Sequence, residues 1–304
     1  MTRLKYKEYK TDLVKIDNSI IRSPKKFSLI EEKIFFSLLK NIDVYKEEVI
    51  RKEYPVISFN IKEIYKDFNL ATNTEFTNQS VIKKIFTDEN HEFIGKTSIA
   101  VEDDSNIRVA PLFTDIYLDK KTNMISLTIN SVWKNELLKL HSHFTIVELQ
   151  KIISFSGKYT LKLYSYFRSW LLTEGNLPSE RFETVDSLKE YLGIDKEEYV
   201  RYKTTENRKN KTNPLFNRDA FEKYVLNPAI EELLEKANIV VQYEFEKKST
   251  FGKRYIFTFK DVSSQIRKKE AKSKADTDAQ AQGYKNHEEL MEVANTPWVE
   301  EKDG

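Results

Sequence analysis

Two short stretches of the chain carry residue types that could break a phosphodiester bond. His141 and His143 flank Ser142 in a His-x-His pattern suited to a divalent metal, and Tyr199 stands four residues before Lys203, suited to a tyrosine nucleophile beside a cation. That pairing is the signature of nicking initiators of rolling-circle replication. The fit is superficial here. The central strand of such an enzyme needs an apolar residue where this chain has Ser142, and the histidine pair directly precedes a helix-start signal, which puts it in a linker. The chain has 4 histidines and no cysteine, so it lacks a rich metal-ligand set, a thiolate nucleophile and a disulfide framework. The phosphate-loop pattern G-x-x-x-x-G-K-[ST] is absent, and no Ser–His–Asp set is apparent. The sequence therefore predicts no catalytic residues, no metal and no cofactor.

What remains is charge. The net charge is only +2 over 304 residues, so its distribution has to carry the argument. Residues 1–26 hold 8 Lys or Arg against 3 acids, residues 201–218 hold 6 against 1, and residues 247–274 hold 10 against 2. Residues 276–304 reverse the balance, with 8 acids against 2 lysines. No apolar run approaches the ~20 residues of a membrane helix, and the polar N-terminus does not read as a signal peptide. The expectation is a cytoplasmic protein with no membrane contact.

FSLIEEKIF from Phe27 and FTIVELQKI from Phe144 open alike. Ser28 with Glu31, and Thr145 with Glu148, each read as a capping box that starts a helix. Ile30, Ile34, Phe35, Leu38 and Leu39 follow the first box at helical spacing; Val147, Leu149, Ile152 and Ile153 follow the second. YPVISFNIKEIYKDFNL then reads as a short strand and a helix with Ile61, Ile64, Tyr65 and Phe68 inward. RFETVDSLKEYLGI repeats that order with Val185, Leu188 and Leu192 inward and Asp186 as a cap, after the long helix of GKYTLKLYSYFRSWLL. A third helix follows in each half: EFTNQSVIKKIF, with Phe76, Val81, Ile82 and Ile85 inward, and NRDAFEKYVLNPAIEELLEKANI, which Pro228 should kink. Each half ends in a β-hairpin. IVVQYEFEK and RYIFTFKDV flank a turn at Gly252; IRVAPLFTDIYL and MISLTIN flank DKKTN, with Pro111 marking an edge strand.

Three helices and a β-hairpin make a winged helix, and the plan occurs twice. The predicted fold is α+β and helix-rich, with two tandem winged-helix domains bearing β-hairpin wings and a disordered C-terminal tail. The halves join near Leu137–His143. A duplicated winged helix suits a ligand with its own repeat, of which double-stranded DNA is the obvious one. The cations fall where such a fold meets DNA. Lys203, Arg208, Lys209 and Lys211 precede the last helix, and Arg218 and Lys223 lie in its first turns. Lys247, Lys248, Lys253 and Arg254 sit at the second wing. In the first half, Thr77, Asn78 and Gln79 open the third helix, Lys83 and Lys84 lie on it, and Lys120 and Lys121 sit at the wing tip. Lys223 is the first choice for base contact. Glu222 either accepts from a cytosine amine or pairs with Arg218 at i,i+4, and the pairing has more weight.

The stretch FEKYVLNPAIEELLEKANIVVQYEFEKKSTFGKRYIFTF resembles the C-terminal domain of iteron-binding, theta-type plasmid replication initiators. Lys158 to Tyr164 is similar to the basic-Tyr-(Ser/Thr)-Leu-(Arg/Lys)-Leu-Tyr run of that family's second domain, and KIDNSIIRSPKKFSLIEEKIFFSLL is similar to its N-terminal opening. The resemblance spans roughly residues 14–262. It implies recognition of tandem direct repeats at an origin, opening of AT-rich DNA, a monomer–dimer balance, recruitment of host DnaA and the replicative helicase, and repression of its own promoter. It adds Lys158 to the DNA-contact set and matches Lys253 and Arg254 to a basic wing. The expected domains are 1–136, for dimerisation and DNA backbone contacts; 144–262, for repeat recognition; and 263–304, a disordered acidic-ended tail outside the resemblance, which reads by composition either as a solubilising tail or, through Trp298, as a partner-docking peptide. A winged-helix transcription regulator is the alternative.

Overall fold

The structure is a computed structural model that describes residues 13–25, 27–49, 52, 55–68, 98–102, 107–119, 121–138, 144–171, 178–201, 215–247, 252–281, 285–288 and 291. The first half runs β1 (Leu13–Asp17), α1 (Asn18–Arg22), α2 (Leu29–Val49), β2 (Val56–Asn60), α3 (Ile61–Asp67), β3 (Ser98–Glu102), β4 (Ile107–Pro111), β5 (Phe113–Asp119) and β6 (Met124–Ile129). A 3-10 turn at Ser131–Trp133 and α4 (Lys134–Leu138) close it. The second half runs β7 (Phe144–Glu148), α5 (Leu149–Ser154), α6 (Lys158–Trp170), β8 (Ser179–Thr184), α7 (Val185–Leu192) and the short strands β9 (Val200–Arg201) and β10 (Leu215–Phe216). Then come α8 (Arg218–Phe221), a π-helical turn (Glu222–Leu226), α9 (Asn227–Ala237), the hairpin β11 (Ile239–Glu246) and β12 (Arg254–Asp261), and α10 (Ser263–Ala281).

Each wing is a hairpin with a third strand added. β2 joins the first as β2-β6-β5, and β8 joins the second as β11-β12-β8. Period-2 alternation aims one face at the core: β6 buries Ile125, Leu127 and Ile129, and β12 buries Tyr255, Phe257 and Phe259. Pro111 ends β4, which pairs with β3 in a separate two-stranded sheet.

The chain is duplicated, but in a different register from the one its two echoing segments suggest. β1-α1-α2-β2-α3 recurs as β7-α5-α6-β8-α7. β1 and β7 pair antiparallel, and their middle residues, Lys15 and Ile146, lie opposite each other, as a local two-fold requires. Val14 and Ile16 are buried on one strand, Thr145 and Val147 on the other. FTIVE is therefore a strand and not a helix start. The Ser28 box does form: Ser28 N donates to Glu31 Oε2 at 2.7 Å and Glu31 N donates to Ser28 Oγ at 3.4 Å. The Thr145 box does not. Thr145 Oγ1 donates to Asn18 Oδ1 at 2.5 Å, and Glu148 pairs with Lys151 at 2.8 Å. The β-branched run Thr145–Val147 favours an extended backbone, and β1 satisfies its hydrogen bonds.

Two further expectations are corrected, at the start of α7 and in the tail. Thr184, not Asp186, caps α7, accepting from Ser187 N at 3.1 Å. At Pro228 the chain remains helical. A π turn precedes it, in which Asn227 N bonds back to Glu222 O, and the backbone stays right-handed helical at Phe221, Glu222, Leu226 and Asn227. The wider turn accommodates the missing N–H and the bulk of the proline ring. The tail is not disordered from residue 263: α10 extends to Ala281, started by Asp261, whose Oδ1 accepts from Ser263 N at 2.9 Å. Its Ala, Lys and Gln content supplies helix propensity without an apolar stripe.

A polar seam joins the halves. Arg22 donates to Ser169 Oγ and Ser169 O at 3.1 and 2.6 Å. Lys33 Nζ donates to Ile153 O at 2.6 Å, and Tyr191 Oη donates to Ile21 O at 3.3 Å. Arg22 and Arg181 both stack on Trp170, at 3.2 and 3.5 Å from the ring centre. Lys25 is buried and caps the end of α1, donating to Ile20 O at 2.7 Å, Ser23 O at 3.0 Å and Ile21 O at 3.3 Å. Burial lowers its pKa to about 8. Leu137 and Leu138, expected at the junction, are buried at the end of α4; residues 139–143 lie outside the described set.

Candidate nucleic-acid interface

The candidate surface among the described residues is formed by α8–α9 with the second wing. The start of α8 is clamped. Asn217 Oδ1 caps it, accepting from Ala220 N at 3.4 Å, and Asn217 N donates to Tyr199 O at 2.7 Å. Phe221 is fully buried, with ring centres of Phe216, Tyr199 and Tyr255 at 5.4, 5.6 and 5.9 Å. Tyr199 takes a left-handed backbone, φ 54°, and burial raises its pKa. It therefore packs against the helix start. Lys203, His141 and His143, the rest of the candidate nicking set, lie outside the described residues. Among the described residues no group of three His, Cys, Asp or Glu could hold a metal ion.

The helix presents two rows. One faces the wing and is engaged by it. Arg218 Nε donates to Glu222 Oε1 at 2.5 Å, and the guanidinium lies 4.9 Å from the Phe245 ring centre. Glu222 Oε1 also accepts from Tyr255 Oη at 3.3 Å. The hydrogen bond from Arg218 to Glu222 raises the arginine pKa. Tyr255 is raised by burial first and by Glu222 second. Asn227 Oδ1 accepts from Tyr243 Oη at 2.8 Å. The spacing is four residues and then five, because the π turn lies between Glu222 and Asn227. The other row faces outward. Lys223 and Tyr224 are exposed, Tyr224 at 60%, and Lys223 Nζ lies 5.1 Å from the tyrosine ring centre.

The wing shows the same division. Arg254 Nε donates to Glu246 Oε2 at 2.6 Å and its guanidinium lies 5.0 Å from the Phe182 ring centre, whereas Lys247 and Lys253 are exposed. Gly252 holds φ 89° in the turn, a conformation disfavoured with a Cβ. In the first half Lys121 is exposed in a tight turn, its N–H donating to Asp119 Oδ1 at 2.8 Å. Lys158 opens α6, with its Nζ 5.6 Å from the Tyr159 ring centre. Thr77, Asn78, Gln79, Lys83, Lys84, Lys120, Lys203, Arg208, Lys209, Lys211 and Lys248 lie outside the described residues, as does the third helix of the first half. The structure adds Tyr224, which reading for charge passed over. Its signal was present: an aromatic next to Lys223 and off the stripe Phe221, Val225, Leu226, Ala229.

Residues 13–168 match the family model described as Initiator Replication protein, WH1, and residues 184–259 match that described as Initiator Rep protein, WH2. The chain belongs to the initiator replication protein family. Its two winged-helix domains are those that the duplicated fold presents, and α10 follows the end of the second match. Among solved structures, the Pi initiator protein in complex with iteron DNA is similar to this initiator, with a TM-score of 0.58 and 17% sequence identity over 84% of this chain and 99% of that one. That likeness concerns the fold. A search of curated proteins gives no match. No described helix of this initiator is long and apolar enough to cross a membrane.

Proposed function

We propose that this initiator binds tandem direct repeats, or iterons, in double-stranded plasmid DNA, and acts by binding and remodelling the origin rather than by cleaving it. The observation that carries the reading is the clamped helix start at Phe221, beside which Lys223 stands on the exposed face and Lys247 and Lys253 on the wing. A recognition helix places the residues of its N-terminal part against base edges, and a wing meets phosphate. Residues 144–262 recognise the repeat; residues 1–136 dimerise and contact the DNA backbone. Thr77, Asn78, Gln79, Lys83, Lys84, Lys120 and Lys121 serve the first domain. Lys158, Lys203, Arg208, Lys209, Lys211, Arg218, Lys223, Lys247, Lys248, Lys253 and Arg254 serve the second. DnaA and the replicative helicase are the host partners, the site of action is the cytoplasm, and the dimer represses its own promoter. No cofactor takes part.

The test is binding of the full-length protein to a duplex of the direct repeats beside its own gene, against a scrambled duplex, over a salt series. The expected result is strong preference for the repeats and a log–log salt slope of roughly −5 to −7, from about six to eight phosphate contacts. Lys223→Ala should lose about 1–3 kcal/mol of discrimination. Equal, weak binding of both duplexes by the wild-type protein would overturn the reading.

A further inference from the structure

Three polar side chains near the start of the recognition helix are engaged by its own wing. Arg218 is held by Glu222 and stacks near Phe245, Glu222 is shared with Tyr255, and Asn227 accepts from Tyr243. The carbonyl with which Asn227 would accept from adenine is thus engaged, which works against the bidentate contact that reads that base. Lys223 is a rotating point charge on a flexible stem, able to serve phosphate as readily as base acceptors. Tyr224 is different in kind. Its side chain has two torsions, it is 60% exposed, and it lies off the buried stripe of Phe221, Val225, Leu226 and Ala229. The π turn accommodates this arrangement, in which two consecutive residues, Lys223 and Tyr224, face water while the next two are buried.

An exposed aromatic ring offers apolar surface, and the major groove contains one apolar group, the C5-methyl of thymine. We infer that Tyr224 is a specificity-determining residue that covers a thymine methyl in the repeat. This rests on the DNA reading above. The ring also steers Lys223, whose ammonium lies 5.1 Å from its centre, toward the neighbouring base or phosphate. Beside the base contact proposed for Lys223, the ring adds a preference for a neighbouring thymine.

The experiment uses the full-length protein and the direct-repeat duplex, with each thymine replaced in turn by uracil, which deletes only the methyl. For the wild type, one replacement should weaken binding about fourfold, the value of one buried methyl. Tyr224→Ala should lower discrimination against the scrambled duplex by roughly tenfold and lose the response to that uracil, while Tyr224→Phe keeps the response. An alanine variant with wild-type discrimination and an unchanged uracil profile overturns the inference. A phenylalanine variant that loses as much as alanine also overturns it, because the hydroxyl would then be the reader. A wild-type protein that does not prefer the repeats defeats the DNA reading itself and takes the inference with it; the wild-type arm separates that failure from the other two.

Discussion

The two winged-helix copies share an order of elements and differ in what fills it. The first wing closes in a tight turn that Asp119 organises, accepting from Lys121 N, Thr122 N and Thr122 Oγ1. In the second wing β11 and β12 pair out to Glu246 and Arg254, with Lys247 and Lys253 exposed beyond that pair and Gly252 at φ 89°. Behind the second wing lies an aromatic ladder from Phe216 through Phe221 and Tyr255 to Phe257 and Phe167. Among the described residues the first copy buries aliphatic side chains such as Ile34, Leu38, Ile57 and Leu127 together with Phe35, Phe36, Phe59 and Trp133. Topology is thus common property, while the rigid mounting of a recognition helix is built in the second copy from large planar side chains.

The largest expected effect tests that mounting. Phe221→Ala should destabilise the protein by about 3–5 kcal/mol, read by urea unfolding, and should abolish repeat binding. A loss below about 1 kcal/mol would mean that the ladder does not hold the helix. The seam between the copies comes next. Burial lowers the Lys25 pKa to about 8, so its charge disfavours the folded state below pH 8, and stability should rise as pH climbs toward the unfolded value. The gain is about 2–3 kcal/mol at most. It should stop near pH 10, where tyrosines such as Tyr164, raised by burial to about 12, begin to oppose it. Lys25→Met should flatten the rise between pH 8 and 10; an unchanged slope would assign it to other groups.

Glu232 ties α9 to the start of α6. It accepts from Ser156 N at 2.6 Å, Ser156 Oγ at 2.7 Å, Gly157 N at 3.0 Å and Lys236 Nζ at 2.7 Å. Burial would raise its pKa, but the bonds from Lys236, Ser156 and Thr160 outweigh it and hold the carboxylate at about 2. This depressed value stabilises the fold above pH 4.5 and the contribution is lost as pH falls toward 2. Glu232→Gln should cost about 1 kcal/mol at neutral pH and weaken the acid dependence over that window. Gly157 belongs to the same joint, since a Cβ there would fall 2.9 Å from Glu232 Oε2. The smallest effects compare the wings directly. Lys253→Ala and Lys121→Ala should each lower the salt slope by about one; a change for Lys253 alone would confine phosphate contact to the second wing.

Much of this architecture was present in the residue pattern. Alternation marked β6, β11 and β12, helical spacing marked α2, α3 and α7, and the i,i+4 spacing of Arg218 and Glu222 foretold their pairing. The register of the duplication was not, because a Thr-x-x-Glu spacing reads as a cap whether or not a partner strand is available. β1 supplied the partner, and the backbone of Phe144–Glu148 extended to meet it. Within the site, charge pointed to Lys223 and Arg218 alike; the i,i+4 spacing marked Arg218 as paired with Glu222, but no local rule shows its approach to Phe245, 27 residues downstream on the wing.

The kind of fold is legible in local residue chemistry. Binary patterning and turn residues led to two winged helices. The tertiary structure decided which side chains remain available. Phe245, Tyr255 and Tyr243 reach the recognition helix only because β11 and β12 fold back against it, and the π turn before Pro228 sets which residues they meet. Side-chain availability is a property of packing between distant segments, so Lys223 and Tyr224 emerge as the outward pair only once the wing is in place.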